Sequence, residues 1–294
     1  MNIIDNFDMV NNYKLYRRIQ KIFNPAIGTK KRYQDTYLEV ENRKIPIRIF
    51  NPTDAKKIII YMHGGGWISG DIETHTNICF RLAKYTNRKV VSIDYRLAPE
   101  NPFPAGFDDC YIVVKSIMHN VKSLGITWED VTLMGDSAGG NLVAAVTTKA
   151  RENHDFRVKS QILLYPSVQS DYSKTTKYKS ISDNSNKGFL TQKQLNDFLK
   201  HYIKNESDYK NVYVAPFYAK KLYGLPKTLI ITGTKDPLVD EGRAYYKKLK
   251  RHLVPVEYHE LDGAIHGFFS NILEKKYTEE TLVIIKKFLG DKDE

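Results

Sequence analysis

The chain has 294 residues, 41% hydrophobic and 27% charged, which supplies a substantial core and excludes wholesale disorder, a collagen-like repeat or a small disulfide scaffold. Lys and Arg number 45 against 34 Asp and Glu, a net charge of +11, but these basic residues are spread along the chain and interleaved with acids. A solvated lysine-rich surface is therefore favoured over a nucleic-acid face, which concentrates its charge. The two cysteines, Cys79 and Cys110, form no CxxC, so a zinc ribbon or thioredoxin-type site is excluded, and their low number fits a reducing, cytoplasmic setting. The longest apolar runs, such as Ile58 to Met62, are far below the roughly 20 residues of a membrane span, so no stable membrane insertion is expected. The opening MNIIDNFDMV lacks a basic segment followed by an apolar one, so no secretory signal is expected.

In chain order, residues 6 to 24 carry Phe7, Val10, Ile19 and Phe23 among polar neighbours with Pro25 beyond, which predicts an amphipathic helix. Its Lys14, Arg17, Arg18 and Lys21 leave two destinations open, an anionic lipid surface or a cap over the body of the protein. The alternating segments Tyr33 to Val40 and Lys44 to Phe50, joined by Glu41-Asn42-Arg43, predict an antiparallel hairpin that opens a sheet. Apolar runs at 57–62, 89–93, 131–134, 160–165, 228–232 and 255–260 then alternate with helical stretches. Short strands separated by helices predict an α/β fold with a mostly parallel sheet covered on both faces. The alternation breaks between 167 and about 224, a Ser-, Lys-, Asn- and Tyr-rich insertion with one convincing helix near 191–204. The whole reads as a single domain, 1–294.

Gly135-Asp136-Ser137-Ala138-Gly139 follows one strand and precedes a helical stretch from about Asn141 to Arg151. A serine on so tight a turn is lifted to the C-terminal edge of the sheet, and the helix N-terminus aims free N–H groups at developing negative charge. The second motif, His63-Gly64-Gly65-Gly66-Trp67, also follows a strand. Its bare backbone suits an oxyanion hole, with Gly64 and Gly65 the expected donors and the N–H of Ala138 the third. A dinucleotide-type phosphate loop is excluded, because Ser69 stands where its last glycine would be. His63 is expected to brace this loop by hydrogen bonding.

A serine hydroxyl is too weakly acidic to attack unaided and needs a base and an orienting acid. Of eight histidines, His266 lies just past the final predicted strand, where a loop returns it to the same sheet edge. No HxH or HExxH pairing suggests a metal. Asp236 lies just past the strand ending at Thr232, while Asp240 is placed to cap the following helix. The order Ser137, Asp236, His266 is that expected of α/β-hydrolases.

With HGGGW at 63–67, DYRLAPE at 94–100, GDSAGG at 135–140, DPLVDEG at 236–242 and HGF at 266–268, the sequence resembles the hormone-sensitive lipase-like branch of the α/β-hydrolase esterases from about residue 57 to residue 290. The resemblance implies an eight-stranded, mostly parallel sheet, a helical cap assembled from residues 1–45 and 167–224, and Trp67 at the substrate pocket. It implies a carboxylic-ester hydrolase acting on short- to medium-chain esters through an acyl-enzyme, with no metal or organic cofactor. Asp94, Arg96 and Glu100 are expected to brace the loop beside the serine turn. Ala215-Pro216-Phe217 departs from the pattern, since relatives often carry serine before that proline. The partner expected is a small ester substrate rather than nucleic acid, and a homodimer is left open. Rival readings are an amidase or arylformamidase using the same three residues, and a hydrolase-derived binding protein, which would be expected to have lost one of them.

Overall fold

A computed structural model describes residues 9–24, 33–51, 55–271 and 273–290. Eight strands form one sheet: β1 (Gln34–Val40), β2 (Arg43–Phe50), β3 (Ile58–Met62), β4 (Lys89–Ile93), β5 (Val131–Asp136), β6 (Ser160–Leu164), β7 (Lys227–Gly233) and β8 (Val256–Leu261). Their spatial order is β1-β2-β4-β3-β5-β6-β7-β8. The hairpin β1–β2 runs antiparallel, β2 is antiparallel to β4, and every remaining pair is parallel.

The central strands are apolar along their whole length because both faces are covered. Ile58, Ile60 and Met62 of β3 face a core shared with α3 (Ala105–His119), α4 (Ala138–Asn153) and α7 (Val239–Arg251). Ile59 and Tyr61 point the other way, into a second core with α2 (Thr76–Thr86) and α8 (Lys275–Phe288). Complete burial of side chains such as Ile59 and Ile60 contributes on the order of 1.5–3 kcal/mol each, so the middle of the sheet is the rigid part of the molecule.

The insertion holds α5 (Ser180–Asp183), α6 (Gln192–Tyr202) and two 3-10 turns, with no strand among its residues. A capping box starts α6: the Thr191 hydroxyl accepts from the Gln194 N–H, and the Gln194 side chain accepts from the Thr191 N–H at 2.8 Å. The N-terminal helix α1 (Met9–Phe23) lies against α6 through Tyr16 on Phe198 and Tyr13 on His201. Phe7 lies outside the described residues, as do the side chains of Val10 and Phe23. Of the segment 1–45 expected in the cap, residues 34–40 and 43–45 are strand residues on the sheet edge. Among the described residues no helix is long and apolar enough to cross a membrane.

Arg17 fastens α1 to the body. Its Nε donates to the Ile68 carbonyl at 2.6 Å, its Nη2 to the Ala98 carbonyl at 2.8 Å, and both terminal nitrogens to the Glu100 carboxylate. Lys21 adds an ion pair to Asp71 at 2.7 Å. Two of the four basic residues on this helix are thus turned toward the protein. Hydrogen bonding to Arg17 holds the Glu100 carboxyl below the usual glutamate range. That contribution is present above the ordinary glutamate pKa and is lost as pH falls through the lowered folded value. Replacing Arg17 by Ala should raise the rate of chymotryptic cleavage at Tyr13 and Tyr16 about tenfold or more at neutral pH, as expected from losing charged hydrogen bonds. Arg18→Ala, on the exposed side, should leave the rate unchanged.

Candidate active site

Three loops at the C-terminal ends of β3, β5 and β7 and a fourth after β8 converge on Ser137. This residue stands between β5 and α4 with φ 55° and ψ −118°, a backbone conformation that L-residues avoid and that the surrounding packing must hold. The small neighbours are obligatory: a Cβ on Gly139 would lie 2.0 Å from the Met62 carbonyl oxygen. The turn is tied to the sheet by the Ser137 N–H donating to Leu164 O at 2.9 Å.

His266 Nε2 lies 2.9 Å from Ser137 Oγ, and its Nδ1 lies 2.8 Å from Asp236 Oδ2. A carboxylate only accepts, so Nδ1 carries the proton and Nε2 is left to accept from the serine hydroxyl. Asp236 is fully buried, and its other oxygen accepts from the Leu238 N–H at 2.7 Å. The Tyr165 ring meets the His266 imidazole edge-on at 4.9 Å. The Asp236 loop is held from the insertion by Asn184, whose side chain donates to the carbonyls of Thr234 and Asp236. Asp240 does not cap its own helix. Its carboxylate accepts from the Ser180 N–H at the start of α5 and pairs with Arg243.

The glycine loop departs from expectation at one position. The Gly64 N–H donates to Asp136 Oδ1 at 2.9 Å and is therefore not free for a substrate. The amides of Gly65, Gly66 and Ala138 find no acceptor among the described residues, so the free donors of this loop begin one residue later than the sequence suggested. Gly65 has φ +125°, and a Cβ there would collide with Ser69 O at 2.1 Å. Trp67 is only 3% exposed and stacks on Tyr202 at 4.6 Å, so its indole fastens the loop to α6 instead of forming an open pocket wall. Phe198 of α6 rests where a Cβ on Gly66 would be.

A model of the family described as alpha/beta hydrolase fold matches residues 59–270. The chain belongs to that family. An arylesterase of Saccharolobus solfataricus is 32% identical over 262 residues, covering 88% of this chain and 83% of the relative. The carboxylesterase NlhH of Mycobacterium tuberculosis is 34% identical over 231 residues, covering 76% and 71%. The solved structure of a hyperthermophilic esterase from Pyrobaculum calidifontis superimposes with a TM-score of 0.85 at 32% identity, covering 97% of this chain and 91% of that one. The resemblance to the hormone-sensitive lipase-like esterases holds, and this hydrolase is a serine carboxylic-ester hydrolase.

Beneath the glycine loop of the hydrolase lies a polar cluster that the sequence did not disclose. Asp136, fully enclosed, receives the Tyr61 hydroxyl at 2.7 Å as well as the Gly64 amide, with His75 Nε2 3.6 Å away. Burial alone would drive the Asp136 carboxyl up, but the His75 imidazole, the Tyr61 hydroxyl and His63 together outweigh it and the carboxyl is held below the usual range. His75 shows the mirror image: burial opposes its charge, and Asp136 raises it above the ordinary histidine value. His63 hydrogen-bonds through Nδ1 to the Gly64 carbonyl at 2.9 Å and stacks on Tyr95 at 4.2 Å, as a loop brace should. Burial, with His75 nearby, pushes its pKa down to about 4, so it stays neutral.

The three charged residues of DYRLAPE, expected to brace the loop beside the serine turn, reach three different segments. Asp94 accepts from the Ile72 N–H, Arg96 grips Asp109 of α3 with Nε and Nη2, and Glu100 receives Arg17. Burial raises Asp94 to about 6. Another acid missed by sequence is Glu241, which accepts from the Val168 N–H at 3.0 Å and which burial pushes well above the usual range.

Asp136→Ala should lower kcat by about 10² while changing KM little, because a glycine loop released by roughly an ångström loses oxyanion contact formed only in the transition state. Asp136→Asn keeps an acceptor for the Gly64 amide and should recover most of that loss. Steady-state kinetics on p-nitrophenyl acetate, with melting temperatures to show that each variant folds, check both.

Proposed function

We propose that this esterase hydrolyses short- to medium-chain acyl esters with Ser137 as nucleophile, His266 as general base and acid, and Asp236 as the group that orients and steadies the imidazole. The observation that carries this reading is the hydrogen-bonded row from Ser137 Oγ through His266 to Asp236, at 2.9 and 2.8 Å, on a strained strand-to-helix turn. His266 takes the hydroxyl proton as Ser137 attacks the carbonyl, and the same proton leaves on the alcohol. Water then repeats the sequence on the acyl-enzyme, with His266 again the base. The oxyanion is met by Gly65 and Ala138, with Gly66 taking the place first given to Gly64.

We assign α1 and the insertion 167–224 to a cap over this centre. Support comes from Arg17 on the Ile68 and Ala98 carbonyls and from Tyr202 and Phe198 of α6 on the glycine loop. A roof of this kind bounds the acyl pocket. Each methylene that fits gains about 0.8 kcal/mol of burial, and the first that does not fit gains nothing. We also place the protein in the cytoplasm, a reading supported by its two free, buried cysteines.

Hydrolysis of a p-nitrophenyl ester series should show specificity rising from acetyl and falling beyond hexanoyl, with little action on emulsified triglyceride. Ser137→Ala should abolish turnover in a folded protein. Asp236→Asn should lower kcat by about 10⁴, the scale of the comparable change in serine proteases. Asp240→Asn should cost far less. A folded Asp240→Asn variant more damaged than Asp236→Asn would exchange their roles, and faster cleavage of the matched p-nitroanilides would make the enzyme an amidase.

A further inference from the structure

At the opposite end of α4 from Ser137, about 20 Å along the helix at 1.5 Å per residue, lies a groove of about 1060 Å³. It is lined by the last turn of α4 and residues 154–159, by Trp128, and by the limb 210–226 that returns the chain from the insertion to β7. Six of its lining residues are cations: Arg151, Arg157, Lys159, Lys210, Lys220 and Lys221. The acid in the lining, Glu152, is already engaged, with one oxygen accepting from Arg151 at 3.1 Å and the other from the Tyr213 hydroxyl at 2.9 Å. The other five cations form no ion pair among the described residues. Cations gather at helix C-termini because they complement the helix dipole. That explains Arg151 but not Lys210, Lys220 and Lys221, which come from a different limb.

The same groove exposes aromatic faces. Tyr223 is 60% exposed, Trp128 44% and Tyr218 36%, and the Arg151 guanidinium sits 5.8 Å from the Tyr223 ring centre. Like charges lining one groove repel unless an anion comes between them, and exposed rings offer stacking to a flat partner. The groove's volume is that of a small-molecule site. We infer that this groove binds a phosphorylated small molecule bearing a flat aromatic ring, the chemistry of a nucleoside diphosphate. Its phosphates meet the lysines of the 210–226 limb, and its ring lies on the exposed aromatic faces. This assignment is independent of the ester chemistry, since it uses no residue of the Ser137 site.

The test uses the full-length protein with ADP and tripolyphosphate as probes, by calorimetry and by tryptophan fluorescence. The chain has two tryptophans and Trp67 is buried, so a fluorescence change on binding reports Trp128. ADP should bind saturably at one site, with affinity falling as salt is raised. The double variant Lys220→Glu/Lys221→Glu should weaken it about tenfold or more, since both charge-assisted contacts are lost. Trp128→Ala should weaken ADP while leaving tripolyphosphate unchanged. Melting temperatures confirm folding, and Lys159→Gln/Lys210→Gln replaces the first double variant if that one unfolds. No saturable binding at millimolar ADP, or equal affinity in the charge-reversed variant, would overturn the proposal. Tripolyphosphate binding as tightly as ADP would remove the aromatic ring from the ligand class. Quenching of Trp128 by single-stranded RNA or anionic vesicles but not by ADP would reassign the groove to a macromolecule or membrane.

Discussion

One buried carboxylate couples the two halves of the active site. Asp136 is the last residue of β5, and its backbone leads directly into the strained Ser137 turn, while its Oδ1 holds the amide of Gly64 on the loop after β3. Asp136 and Gly64 are 72 residues apart in sequence, yet the Ser137 turn and the glycine loop share this one residue as a fixed point. An ionised carboxylate without water is expensive unless fully partnered. Here Tyr61, Gly64 and His75 share that role, and Tyr61 is itself part of the apolar second face of β3. The rigidity of the central sheet is thereby passed to the glycine loop. The arrangement also explains why Gly64 is a structural glycine: a Cβ there would lie 2.5 Å from the Asp136 carboxylate.

Much of this was legible in the sequence, and for a physical reason. Strands buried on both faces must be nearly continuous apolar runs, so the six runs and the hairpin marked all eight strands to within two residues. Ser137 and the glycine loop announced themselves because small residues at fixed spacing are the only ones that fit a tight strand-to-helix turn. His266 and Asp236 followed from the demand that partners emerge at the same sheet edge. What escaped was contact between distant polar groups. Asp136 was read as part of a motif rather than as a buried charge, although an acid ending an apolar strand must find partners. Nothing in its polar stretch of sequence distinguishes His75, and only the fold puts it beside Asp136. Asp240, at the head of a helix, satisfied the ordinary capping pattern, yet it serves the start of α5 across the insertion. Side-chain reach over long sequence separation leaves no periodic trace.

The insertion illustrates how a loosely patterned segment acquires definite geometry. Residues 167–224 carry little apolar periodicity outside α6, and they are held by specific polar contacts. Examples are Asn184 on the Asp236 loop, Ser180 on Pro237 and Asp240, and Asn141 of α4 donating to the carbonyls of Ser167 and Val214. These bonds reach the loop that carries Asp236 and the helix that follows Ser137.

The central claim is that Ser137 forms the covalent intermediate. Reaction of the native enzyme with a fluorophosphonate, followed by peptide mapping, addresses it most directly. The account predicts one adduct per chain, on Ser137, forming in step with loss of esterase activity. An adduct confined to another serine, or full ester turnover by protein quantitatively modified at Ser137, would contradict it.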